Sequence, residues 1–217
     1  MRNKRLIVSC IFCSIVINLY ALAGANAGAY EVVRNVIDGD TVVLSDNTIV
    51  RLAFIDAPEL QYKKAKRQYY AIQAKQFLAD RVQGKQVSLE ITKKADRYNR
   101  VIAKVKTADG VDIGSLLVQQ GMAFVYPHKD GAQNYLDHLV GVQRKAMKDR
   151  KGFWHSLFDY FSNSEKVVGN KRSKRFFPDS CKAWRSIAKR NRVSFSSAIE
   201  AFRIGYAPAR NCTIWPE

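Results

Sequence analysis

Tyr30-Glu-Val-Val-Arg-Asn-Val-Ile-Asp38-Gly39-Asp40-Thr41-Val-Val-Leu44-Ser-Asp46-Asn47-Thr-Ile-Val-Arg51-Leu-Ala-Phe-Ile55 is the stretch on which the fold turns. It is dense in Val, Ile and Leu, residues that fit a pleated, half-buried surface, and it reads as three strands at about residues 30–37, 40–45 and 48–55. Asp46-Asn47 is a hairpin signal between the last two, and Asp38-Gly39 has the composition of a tight turn between the first two. Downstream, beyond the basic loop Lys63-Lys64-Ala65-Lys66-Arg67, Tyr70, Ala74, Phe77, Leu78 and Val82 recur at helical spacing up to Gly84. Val87, Leu89 and Ile91 share one face of a further strand, as do Val101, Ala103 and Val105. Asp112 is a good N-cap for a short helix through Gln120 that stops at Gly121. A longer helix, about residues 133–150, carries Leu136, Leu139, Val140 and Met147 and closes at Gly152.

Five strands with a helix between the third and fourth, and two helices after the last, predict an α+β, mainly β chain: a five-stranded Greek-key barrel of the OB type with three helices. Such barrels often bind oligonucleotides, but a fold alone does not establish an activity.

Both flanks of this region differ from it in composition. Met1-Arg-Asn-Lys-Arg5, the apolar run Leu6 to Leu22 and the small residues that follow have the layout of a secretory signal. Cleavage is expected after Ala27, and an uncleaved membrane anchor is the alternative. The expected organisation is a signal at 1–27, a barrel domain at 28–156, an irregular polar linker at 157–180 and a small basic helical module at 181–217. In that last segment Cys181, Trp184, Ile187 and Ala188 fit one helical face, and Phe195, Ile199 and Phe202 another. Export would leave Cys181 and Cys212 as the remaining cysteines, and an even pair outside the cytosol suggests one disulfide, with two buried thiols as the other reading.

The formal net charge of +17 falls to +14 without Arg2, Lys4 and Arg5, and residues 151–217 hold 13 basic against 5 acidic residues. That balance favours a polyanionic partner, nucleic acid or an anionic surface. His128, His138 and His155 have no metal-ligand spacing and read as surface or packing residues. The run Lys171 to Arg175 reads as a solvated linker, with nucleic-acid contact as the second reading.

The chemistry sits in three short segments: Asp38-Gly39-Asp40-Thr41, Arg51-Leu-Ala-Phe-Ile-Asp56-Ala57-Pro58-Glu59 and Asp96-Arg97-Tyr98-Asn99-Arg100. Arg51 and Asp56 lie on or at the end of an apolar strand, where a charge needs a partner or a ligand. Carboxylates suit a hard divalent cation, and guanidinium forks hold phosphate bidentately, so the set points to metal-assisted phosphoryl chemistry.

These three segments, in this order and with these gaps, resemble the staphylococcal (thermonuclease-like) nuclease family, over roughly Tyr30 to Ser156. The resemblance implies that Asp40, Asp56 and the backbone carbonyl of Ala57 hold calcium, with Asp38 in support nearby. It implies that Glu59 holds or deprotonates a water, that Arg51 and Arg100 clamp the phosphate, and that Tyr98 and Tyr126 line the nucleotide pocket. Ala57, Asn99 and Phe124 depart from the residues common at their positions. The implied protein is a secreted or periplasmic calcium-dependent endonuclease that cleaves DNA and RNA with low sequence preference and leaves 3′-phosphate ends. It is expected to be a monomer without a stable protein partner, and to meet a membrane only if the signal stays uncleaved. A barrel that binds nucleic acid without cleaving it is the alternative, and a surface protein whose tail carries the function is a third reading.

Overall fold

The structure is a computed structural model that describes residues 30–60, 67–127, 133–162, 166–210 and 212. The expected signal, most of the basic loop and His128 lie outside the described residues. Five strands, β1 (Tyr30–Asp38), β2 (Thr41–Leu44), β3 (Ile49–Leu52), β5 (Gln86–Lys93) and β6 (Val101–Thr107), close on themselves in the order β1-β2-β3-β6-β5. Neighbours are antiparallel except β3 and β6, which run parallel with Arg51 opposite Ile102. Their inward side chains, Val33, Val36, Val42, Leu44, Val50, Leu52, Val87 and Val105 among them, are buried together with Ala74, Leu78 and Val82 of helix α1 (Ala71–Val82).

The predicted third strand breaks in two. Phe54 takes a φ of 64° while its side chain stays buried, edge-on to Tyr135, and the chain restarts as the short strand β4 (Ile55–Asp56). A bulky residue with positive φ is an outlier that the surrounding packing must hold in place. The break lets β4 leave the ring and pair with β7 (Phe124–Val125), which sets Asp56 opposite Phe124.

Helix α2 (Ile113–Gln119) starts where expected, with the Asp112 carboxylate accepting from the Ser115 N–H at 2.8 Å. Helix α3 (Gln133–Lys148) then leads into α4 (Trp154–Ser162). Among the described residues no helix is long and apolar enough to cross a membrane.

The C-terminal part corrects the sequence reading. Where a linker was expected at 157–180, α4 runs on to Ser162 and strands β8 (Val167–Asn170) and β9 (Arg175–Pro178) follow as a hairpin. The expected helical module at 181–217 is only partly helical, and its two short strands join those of the expected linker. Two 3₁₀ turns, Lys182–Ser186 and Lys189–Asn191, precede β10 (Arg192–Phe195), the short helix α5 (Ala198–Arg203) and β11 (Ala207–Pro208), and the strands form one sheet in the order β10-β8-β9-β11. The helical spacing holds in short pieces, with Trp184 in a 3₁₀ turn and Ile199 and Phe202 on α5, while the β-branched and aromatic pairs Val167-Val168 and Phe176-Phe177 of the expected linker fit strands. Cys181 and Cys212 form a disulfide.

This sheet does not stand apart from the ring. Phe202 of α5 stacks on Phe124 with centroids 4.9 Å apart and meets Trp154 and Phe176 edge-on, each also at 4.9 Å. Buried Gln143 of α3 accepts from the Val125 N–H at 2.8 Å and donates to the Phe202 carbonyl at 2.5 Å, so one side chain ties β7 to α5.

Candidate active site

Gly39 shapes the turn that carries the first carboxylates. A Cβ built there would lie 2.7 Å from the Ala57 Cβ and 2.8 Å from the Ala74 Cβ, so only glycine lets this turn pack under β4 and α1. The Asp38 carboxylate accepts from the Asp40 N–H at 3.0 Å, and Asp40 accepts from the Thr41 hydroxyl at 2.9 Å and the Ala57 N–H at 3.0 Å. Burial, with the neighbouring Asp40 charge second, pushes the Asp38 carboxyl up to about 7.

Arg51 projects from β3 and is 4 % exposed. Its guanidinium bridges two carboxylates: one nitrogen pairs with Asp40, and the other donates to Asp56 at 2.8 Å and to the Ile55 carbonyl at 3.1 Å. Burial opposes the Arg51 charge, but Asp40 and Asp56 outweigh it and strengthen its hold on the proton.

Two further guanidiniums reach the same carboxylates from the C-terminal sheet. Arg175, on β9, donates to Asp56 at 2.5 Å and to the Pro208 carbonyl at 2.8 Å, and lies 3.8 Å from the centre of the Tyr126 ring. Arg210 pairs with Asp56 and, at 2.8 Å, with Glu59. Burial alone would raise the Asp56 pKa, but Arg175, Arg210 and Arg51 hold it well below the usual carboxylate range. Glu59 is shifted the other way, upward, by burial first and by Asp40 and Asp56, against the pull of Arg210. Its loop is fixed by Gln68, whose side-chain oxygen accepts from the Glu59 N–H at 2.8 Å and whose backbone N–H donates to the Glu59 carbonyl at 2.9 Å.

Arg100 stands apart from this cluster. It makes two bonds to one oxygen of Asp96, at 3.0 and 2.8 Å, and stacks over Tyr98, a ring that is 59 % exposed. It shares with Arg51, Tyr98, Tyr126, Arg175 and Arg210 the wall of an open groove of about 620 Å³. Behind Arg210, against Asp56, Ala57 and Glu59, only about 10 Å³ remains.

Of the residues read from the sequence, the structure therefore gathers Asp38, Asp40, Arg51, Asp56, Ala57 and Glu59, and sets Tyr98, Arg100 and Tyr126 along the adjoining groove. Among the described residues no group of three or more His, Cys, Asp or Glu side chains is arranged to hold a metal ion. The oxygen donors nevertheless fit a hard cation in type: Asp40 and Asp56 are joined through one guanidinium, with the Ala57 backbone against Asp40. Arginine occupies both oxygens of Asp56, and Asp40 shares its oxygens among Arg51, the Thr41 hydroxyl and the Ala57 N–H.

Sequence reasoning missed Arg175 and Arg210. Arg175 closes the basic run from Lys171, although it also opens the strand Arg175-Phe-Phe-Pro178. For Arg210 the signal was charge balance, since four acidic residues in two motifs faced a single strand arginine.

Comparison with known proteins adds to this geometry. The family described as "Staphylococcal nuclease homologue" matches residues 49–156. A Bacillus subtilis protein named "Endonuclease YhcR" is 28% identical over 206 residues, 82% of this chain but 17% of that protein, a match wider than the family's. An Escherichia coli "Uncharacterized endonuclease" is 33% identical over 128 residues, 57% of this chain and 75% of that one. A fission yeast "Probable endonuclease" is 36% identical over 120 residues, 51% of this chain and 52% of its own length. The chain thus spans about half or less of two of these three relatives.

Proposed function

The chain belongs to the family of staphylococcal nuclease homologues, and on that premise we propose that it is a phosphodiesterase: an exported endonuclease that cleaves DNA and RNA with little sequence preference. The observation that carries this reading is Arg51, buried between Asp40 and Asp56 at the head of a groove walled by arginine and tyrosine. A purely structural ion cluster needs no such groove, and a plain polyanion-binding surface has no use for carboxylates that repel its ligand. We also read the five-strand ring as OB-type, from its strand order and the helix between its third and fourth strands.

In this reading the nucleic-acid backbone lies along the groove, with bases against Tyr98 and Tyr126 and a phosphate between Arg51 and Arg100. Guanidinium forks suit this because they are permanently charged and match two phosphate oxygens at once. Glu59 takes the proton of the attacking water, and its upward shift by burial makes it a stronger base than an exposed glutamate. The water oxygen bonds to phosphorus, the bond from phosphorus to the 5′ oxygen breaks, that oxygen takes up a proton from solvent, and a 3′-phosphate end remains. Arg51 and Arg100 stabilise the charge that grows on the phosphoryl oxygens. Calcium, held by Asp40, Asp56 and the Ala57 carbonyl with Asp38 in support, would add positive charge at those same oxygens. Cleavage of the signal after Ala27 and a monomeric state belong to the same proposal.

Arginine contact at both Asp56 oxygens favours one second reading, a groove that binds nucleic acid without cutting it. Digestion of plasmid and of RNA by purified residues 28–217, with calcium or with a chelator, separates the two. Cleavage with calcium and none with chelator is expected. Folded protein that binds the substrates but cuts neither would overturn the enzyme reading.

A further inference from the structure

Arg210 arrives on a chain held from both sides. Upstream, β11 pairs in parallel with β9, and the Ala209 N–H donates to the Phe176 carbonyl at 2.9 Å. Downstream, Cys212 is joined to Cys181 by the disulfide. Between these anchors the guanidinium is aimed inward, onto Asp56 and Glu59. It is not fully accommodated there: among the described residues, nothing accepts a hydrogen bond from the buried Arg210 Nε. Such an atom carries a desolvation penalty that the fold would not accept without a return.

We propose that Arg210 sets the affinity of the carboxylate site for divalent cations, because its guanidinium and a cation require the same oxygens and exclude one another. The inference rests on the calcium reading given above. Calcium needs six to eight oxygens at about 2.3–2.6 Å. With Arg210 in place the room left beside Asp56, Ala57 and Glu59 is about 10 Å³, scarcely one water. Charge argues in the same direction, since Arg51 and Arg175 also face Asp56 and a divalent cation entering beside three guanidiniums meets repulsion that Arg210 contributes to directly. Withdrawal of Arg210 opens that space, lowers the repulsion by one charge and frees Glu59. Arg210 borders the open groove as well as the carboxylates. The C-terminal sheet is therefore a determinant of when the site loads.

The test is calorimetric titration of the full mature chain with calcium chloride alone, without substrate, comparing wild type with Arg210→Gln and Arg97→Gln. Arg97 lines the same groove, over the Tyr98 ring, so its loss controls for a general change in charge. Arg210→Gln is expected to bind calcium at least tenfold more tightly than wild type, and Arg97→Gln within twofold of it. Arg210→Met, which keeps the apolar stem, is read by the same criterion if the glutamine variant fails to fold. Unchanged or weaker calcium binding in a folded Arg210 variant would overturn the assignment and leave the nuclease reading standing. Equal tightening by Arg97→Gln would overturn it too, by reducing the effect to bulk charge. No binding by any of the three would remove the calcium reading itself, and this inference with it.

Discussion

Replacing Arg51 with lysine separates the two tasks assigned to that side chain. The guanidinium spans Asp40 and Asp56 and donates to the Ile55 carbonyl, a span that one ammonium on a different stem cannot cover. Asp56 keeps Arg175 and Arg210, so the loss falls mainly on Asp40, which retains the Thr41 hydroxyl and the Ala57 N–H. One charge-assisted hydrogen bond is worth about 1.5–3 kcal/mol, and that is the destabilisation expected for Arg51→Lys. Removing the charge as well, in Arg51→Met, should approach the ~3–5 kcal/mol of a broken buried pair. The rate should fall further than stability, about 10²–10³-fold, as when one donor to a developing oxyanion is deleted. Arg100→Lys is the comparison: its partner Asp96 is only partly buried, so a similar rate loss should come with about 0–1 kcal/mol. Urea unfolding in chelator gives the stabilities, and plasmid nicking under calcium gives the rates. Wild-type stability in Arg51→Lys would refute the bridging argument, and wild-type turnover would refute the phosphate clamp.

Asp38→Asn addresses the buried carboxyl pushed up to about 7. A carboxyl that holds its proton more tightly when folded contributes stability that is fully present below about pH 4, its unfolded range, and is lost as pH rises through the folded value. In chelator, the stability of wild type relative to the variant should therefore decline between about pH 4 and 7 and level off above; a constant difference over that range would refute the shift. Gly39→Ala places a methyl against Ala57 and Ala74 and should cost ~1–3 kcal/mol in urea unfolding, with part of the loss regained when Ala57→Gly is added. No rescue by the second change would show that the crowding lies elsewhere. Phe202→Ala should cost ~3–5 kcal/mol and still melt in a single transition, because its ring stacks on Phe124 and meets Phe176 edge-on; two separate transitions would show independent halves.

The ring strands were legible as runs rich in Val, Ile and Leu, β2 and β3 being buried on both faces, and α1 to α3 were legible because each buries one face at a period of 3.6. The break at Phe54 was not, because a bulky residue with positive φ contradicts its own local preference and is held by tertiary packing. The C-terminal sheet failed for another reason. Its strands have four residues or fewer, too short for alternation to show in the sequence. Of the site, Asp40, Arg51 and Asp56 could be read from neighbouring motifs, because buried charge on a strand demands a partner. Arg175 and Arg210 lie 119 and 154 residues from Asp56, and nothing local in their segments says where they point.

The pairing of Phe124 with Asp56 carries a consequence for how this chain can be divided. The family match ends at Ser156. Yet Phe124, the register partner of the central carboxylate, is roofed by Phe202, and Gln143 fastens the same strand to the Phe202 carbonyl. A truncation after Ser156 would cut through one hydrophobic interior and leave its floor, β7, open to water directly beneath Asp56. The shortest fragment worth expressing is therefore set by where the aromatic cluster ends.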